Sequence, residues 1–314
     1  MRRRGARGIA PARASLRAAR VRKRLRLPEG WTVVETGGPG PFITSATLRR
    51  PDGSEVFWTS RGHRKHEQVL DTRRGSTWWA PGAIGWWIGV LFAVGSMLFA
   101  FGALPGYSTA VGLTWDGITF FVGSLFFTTA GLLQYLEVAN TRRAPPGTRA
   151  PQRWRLVTWE PDRIDWCSTS VQLLGTLFFN VSTFAALRAS TVHEMNRRVW
   201  TPDVFGSACF LIASWLAWCE VCDGRWPWPP RGSGWWIAGV NLAGSIAFGL
   251  SALASHVVPA TQQVRNASLM NIGTFIGAIC FLVGAVLLLP ERTSTGPRRA
   301  GPADLTSPAA AQAA

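Results

Sequence analysis

Residues 218–222 read Trp-Cys-Glu-Val-Cys, and Cys219 and Cys222 have the spacing of a thiol redox pair or of half a zinc site. Structural zinc takes four ligands, and the other cysteines, Cys167, Cys209 and Cys280, form no second pair at that spacing. Apolar fillers near helix ends are the plainer reading. His63 and His66 stand three apart, but inside the basic run SRGHRKHEQ, where positive neighbours oppose a bound cation. No Gly-rich phosphate loop or nucleophile elbow is present. No catalytic residue, cofactor or metal is assigned on this basis, and an enzyme has little support.

A second group of polar residues lies within apolar surroundings: Gln134, Gln172, Asn180, Asn241 and Asn271, with Glu137, Glu220 and Glu291 at the margins. Carboxamides placed this way either bond between helices, at about 0.6–2 kcal/mol per contact, or line a solute path. No Asp, Glu, Lys or Arg lies deep in an apolar block, which argues against a proton relay or a charge-coupled pump.

Membrane-length helices must position these groups. The 314-residue chain is 47% hydrophobic and 16% charged, with nearly uncharged blocks at 83–104, 115–136, 167–187, 204–219, 234–255 and 268–289. About 20 apolar residues in a helix match a hydrocarbon core of ~30 Å, where the backbone must satisfy its own hydrogen bonds. The expected fold is all-α integral membrane, with six transmembrane helices.

The blocks share a pattern. Trp86, Trp166 and Trp235 each stand nine residues before a glycine that opens Gly95-Ser96, Gly175-Thr176 or Gly244-Ser245, with Phe three residues beyond the second member of each pair. The even blocks carry Gly123-Ser124, Gly206-Ser207 and Gly277-Ala278, and Glu137, Glu220 and Glu291 follow those glycines by 14 residues. The unit is a two-helix hairpin present three times. At 1.5 Å per residue all six small pairs fall near mid-membrane, with Trp and Glu at one interface. Small pairs at that depth let backbones approach, so these positions are expected to pack helices. Two spans per unit make the repeats parallel rather than inverted.

Of 33 Lys and Arg residues, 29 fall on the side of the amino terminus and four in the opposite loops. The positive-inside rule places both termini in the cytoplasm. The expected organisation is a basic disordered arm at 1–30, a cytoplasmic region with a β-hairpin at 31–81, and hairpin one at 82–137. A loop at 138–165, hairpin two at 166–222, a loop at 223–233, hairpin three at 234–292 and a disordered tail at 293–314 complete the chain. The arm lacks the apolar core of a signal peptide. Its net charge directs it toward anionic lipid rather than nucleic acid, because interleaved aromatics for base stacking are missing.

The pair WWIGVLFAVGSMLFAFGA and FFVGSLFFTTAGLLQYLE resembles the YrhK-like domain, a two-helix membrane unit of bacterial proteins, and RIDWCSTSVQLLGTLFFNVSTFAAL resembles a longer actinobacterial group carrying such hairpins. The resemblance covers roughly 83–291. It implies a fold and a bacterial plasma-membrane location, and it carries no catalytic residues across. Ala278 departs from the hydroxyl residues at the other five positions, against a shared hydroxyl mechanism.

The resulting expectation is a non-enzymatic multi-pass scaffold or interaction protein. The alternative is a passive channel or transporter for a small, weakly charged solute, formed by a homo-oligomer or by one chain. A channel requires a polar stripe through Gln172, Asn241 and Asn180 to both surfaces, whereas a scaffold requires a packed centre. For the three glutamates two readings stand: pairing with Arg61, Arg64, Lys65, Arg73 and Arg74, or simple marking of the water boundary.

Overall fold

A computed structural model of the chain describes residues 9–71, 78–141, 143, 154–222 and 232–291. The expected tail at 293–314, most of the loop 223–233, Arg73, Arg74 and the side chains of His66 and Glu291 lie outside the described residues.

The first part is a small α/β module. Helix α1 (Ile9–Leu25) leads into an antiparallel sheet of β1 (Thr32–Gly37), β2 (Ser45–Arg49) and β3 (Glu55–Thr59), followed by α2 (Ser60–Asp71). The expected arm at 1–30 is therefore helical from Ile9, and the expected hairpin gains a third strand. Val21 and Leu25, one helical turn apart, are about 1% exposed and pack with Trp31, Ile43, Leu48 and Trp58. That cluster gives a basic helix an apolar face to bury. The turn between β2 and β3 uses Gly53 at φ +84°, a conformation that glycine adopts without steric penalty, and Asp52 Oδ1 accepts bonds from Ser54 N and Oγ at 2.8 and 2.6 Å.

Beyond the module the chain is helical. In order come α3 (Ile84–Gly102), the short α4 (Tyr107–Val111), α5 (Leu113–Ala139) and α6 (Ile164–Ala186). Then α7 (Val192–Glu194) passes through a π-helical stretch (Met195–Trp200) into α8 (Thr201–Cys222), and α9 (Gly232–Ala254) leads through the β4 (Val257–Val258) and β5 (Gln263–Val264) ribbon to α10 (Ala267–Glu291). Among the described residues, five segments, α3, α5, α7 to α8, α9 and α10, are long and apolar enough to cross a membrane. Helix α6 has 23 residues but carries Asp165, Gln172, Asn180 and six Ser or Thr.

The six long helices form a closed ring. Hairpin partners α3 with α5, α6 with α8 and α9 with α10 alternate with the seams α5 to α6, α8 to α9 and α10 to α3. Within each hairpin the small residues meet. A Cβ on Gly95, Gly175 or Gly244 would lie 3.0–3.1 Å from the carbonyl oxygen of Gly123, Gly206 or Gly277 respectively. The partners Ser96, Ser124, Thr176, Ser207, Ser245 and Ala278 are at most 3% exposed. Leu125, Leu177, Ile246, Ile276 and Val283 point outward, as lipid-facing side chains would.

Six phenylalanines fill the ring: Phe99, Phe127, Phe179, Phe210, Phe248 and Phe281, one per long helix, with ring centroids 5.1–6.4 Å apart in each touching pair. Edge-to-face pairs at such separations add about 0.5–1.5 kcal/mol beyond area burial. At the end remote from the module, Asn196 donates to Val257 O at 2.7 Å and accepts from Val257 N at 2.9 Å, which ties the π-helical stretch to the β4 ribbon.

Candidate functional site

The module-facing end of the ring is organised around one carboxylate. Asp165, in the first turn of α6, has a side chain 1% exposed. Arg163, at the cap of α6, reaches it with two nitrogens, Nη2 to Oδ2 at 2.7 Å and Nε to Oδ1 at 3.1 Å. Arg64 of α2 donates to Oδ2 at 2.9 Å, and Arg24 of α1 lies 3.7 Å from the same oxygen. The Trp166 backbone N–H also points at Oδ1, at 3.1 Å. Three separate segments thus converge on one buried group.

The lattice extends from there. Glu160 accepts from Arg163 at 2.7 Å and from Arg143. Arg64 Nη2 lies 3.5 Å from Glu220 Oε2 at the end of α8. Arg24 stacks over the Trp58 ring at 4.8 Å and donates to Ser60 Oγ at 2.9 Å. Arg61 and Lys65 face Glu137 and Glu220 electrostatically. Burial pushes Arg61 down to about 10, partly offset by Glu220, and pushes Arg24 down to about 10, partly offset by Asp165. For Arg64 burial works the same way, but Glu220 and Asp165 outweigh it and hold the guanidinium above its usual value. Burial, followed by the charge of Arg61, holds Lys65 well below the ordinary lysine value. Desolvated charges of this kind are tolerable only with close partners, and Asp165, Glu160, Glu220 and Glu137 supply them.

Under Arg61, Arg64 and Lys65 lies a cavity of about 110 Å³ on the ring axis. Gln172 and Asn241, each three residues before its hairpin's glycine, line it together with the corresponding Phe92 of the first hairpin. Gln134, Ala217 and Leu288, each 11 residues beyond a glycine of the even helices, line it as well. Ser168, Thr169 and Ser214 add hydroxyls, and Phe281 closes the inner end. The volume is below the ~300–1,000 Å³ typical of drug-sized ligands.

Of the residues singled out from sequence, Arg61, Arg64, Lys65, Gln134, Glu137, Gln172 and Asn241 reach this cavity. Asn180 does not, and instead donates to Thr128 Oγ1 at 2.8 Å. Trp86, Trp166 and Trp235 are each 8% exposed. Trp86 donates to Trp78 O at 3.0 Å, Trp166 to Thr158 Oγ1 at 3.1 Å, and Trp235 packs on Trp218. The neighbouring Trp87 and Trp236 are 45% and 51% exposed. Cys219 and Cys222 are not joined in a disulfide, and Cys222 packs with Trp218, Trp235 and Ala238. Arg24, Glu160, Arg163 and Asp165 were not singled out; the available signal was the Arg163-x-Asp165 pair at the start of an apolar block.

Compared with protein-family models, curated proteins and solved structures, the chain matches none.

Proposed function

We propose that the chain is a non-enzymatic, six-span bacterial plasma-membrane protein of three parallel two-helix hairpins. Both termini are cytoplasmic, and the protein serves as a closed scaffold that holds its α/β module at the membrane surface. The observation that carries this reading is the phenylalanine layer, which fills the axis at mid-ring. The polar lining of Gln172 and Asn241 stops at that layer, and Asn180 is engaged with Thr128, so the stripe a channel needs is interrupted. The Asp165 lattice supplies the scaffold's rigid join to the module.

Kinship with YrhK-like hairpins belongs to this reading, carried by the residues quoted above. Attraction of the amino-terminal arm to anionic lipid also belongs to it, reduced because Arg17 and Arg24 already donate to Phe42 O and Ile43 O. The test is solute flux. Proteoliposomes should be no more permeable to urea, glycerol or acetate than protein-free vesicles, and saturable flux of any of these would favour the channel.

A further inference from the structure

The axial cavity has a chemical bias that a scaffold does not require. Around the carboxylates of Glu137, Glu160, Asp165 and Glu220, six described cations (Arg24, Arg61, Arg64, Lys65, Arg143, Arg163) meet these four groups. The excess is positive, and three of those cations lie directly on the cavity. Among the described residues, Glu137 is the one carboxylate on its wall. Carboxamides from three helices also line it, Gln134 of α5, Gln172 of α6 and Asn241 of α9. Gln134 Oε1 is buried and accepts no hydrogen bond, and an unmet buried acceptor costs about 1–3 kcal/mol.

Size narrows the occupant. A 150 Å³ cavity admits benzene, with six heavy atoms, so about 110 Å³ admits about four or five. A polar site of this size is not expected to remain dry. Cations at the mouth call for an anion, the orphaned Gln134 oxygen calls for a donor on that anion, and the volume leaves no room for an acyl chain. We propose that this cavity binds a small monovalent oxyanion bearing an O–H, of the hydrogencarbonate or dihydrogen phosphate type, with Lys65, Arg61 and Arg64 on its charge and Gln134 accepting its proton-bearing oxygen. Lys65, depressed by burial and by Arg61, is the group whose protonation an arriving anion favours.

Binding is measurable whether or not the axis conducts, so this proposal and the closed-scaffold reading fail separately. The full chain, purified in detergent and held at constant ionic strength with gluconate, is titrated with sodium hydrogencarbonate and separately with sodium nitrate, a planar anion of similar size without an O–H. Calorimetry and thermal stability should both report saturable binding of hydrogencarbonate, at least tenfold tighter than nitrate. Gln134→Leu and Lys65→Met should each weaken it at least tenfold, while Asn180→Leu, off the cavity, leaves it unchanged. If Lys65→Met does not fold, Gln134→Leu decides. Competition by added phosphatidic acid supports the same chemistry with a lipid headgroup as its source. A non-saturating shift common to all salts, equal affinity for the two anions, or affinity unchanged in Gln134→Leu would overturn the proposal.

Discussion

At the scale of single residues, Asp165 carries the most. Removing one member of a buried ion cluster leaves the others desolvated and unpaired, at a cost of about 3–5 kcal/mol. Asp165→Asn is therefore expected to lower unfolding stability in detergent by that amount. Asp162→Asn, whose side chain is 72% exposed and 3.6 Å from Arg20, should cost less than about 1 kcal/mol. Thermal or denaturant unfolding of the two variants side by side checks the contrast. Glu160 adds a pH dependence. Burial raises its carboxyl, but the Arg163 hydrogen bond and charge with Arg143 outweigh this and hold it below the usual 4.5. The stability it supplies is fully present above pH 4.5 and declines as pH falls through the lower folded value. Proteolysis of the module should rise over that acid range, and Glu160→Gln should flatten its share of the rise. Part of this lattice was legible in the sequence, since pairing of Glu137 and Glu220 with Arg61, Arg64 and Lys65 is one of the two readings it allows; the Asp165 hub was not, because a charge at the edge of an apolar block has the same sequence signature whether it meets water or a guanidinium. The carboxamides were easier to find, since an amide inside a long apolar run stands out by type alone.

At the scale of elements, the hairpin contacts yield a paired test. A Cβ on Gly206 would sit 3.1 Å from Gly175 O and 3.1 Å from the Phe179 ring, so Gly206→Ala should destabilise by about 1–3 kcal/mol through overpacking. Gly249, also in a long helix, has no heavy atom within 4 Å of its would-be Cβ, and Gly249→Ala should be neutral or stabilise by up to about 1 kcal/mol. Melting temperatures of both variants in one detergent decide the matter; equal losses would place Gly206 away from the interface. The helices could be read because uncharged apolar blocks as long as a bilayer is thick are the signature of a spanning helix. Three elements of the module escaped: α2, β1 and α1. Strand β1 contains a register shift between Val33 and Glu35, which breaks the period-two alternation by which strands are recognised. Helix α1 is dominated by arginine, and its apolar contribution to the core narrows to Val21 and Leu25, too little for composition to reveal.

At the scale of the whole molecule, orientation is the property most open to experiment. Basic residues on one side outnumber those on the other 29 to four, so a reporter fused after Leu104 should be active outside the cytoplasm and one fused after Thr141 inside it; reversal at both sites would invert the arrangement proposed. Helix α6, with its polar content, depends on neighbours α5 and α8 more than on lipid for its place, and so was the least secure span to infer from apolarity alone. That dependence has a consequence in time. Arg64 precedes Asp165 by 101 residues, and at synthesis rates of about 5–20 residues per second the two are made roughly 5–20 s apart. In the proposed arrangement, the first hairpin can enter the bilayer during that interval while α2 still lacks its acidic hub. The latch closes only once the second hairpin has begun to insert, so order of manufacture, rather than affinity alone, determines when the amino-terminal module stops searching and comes to rest.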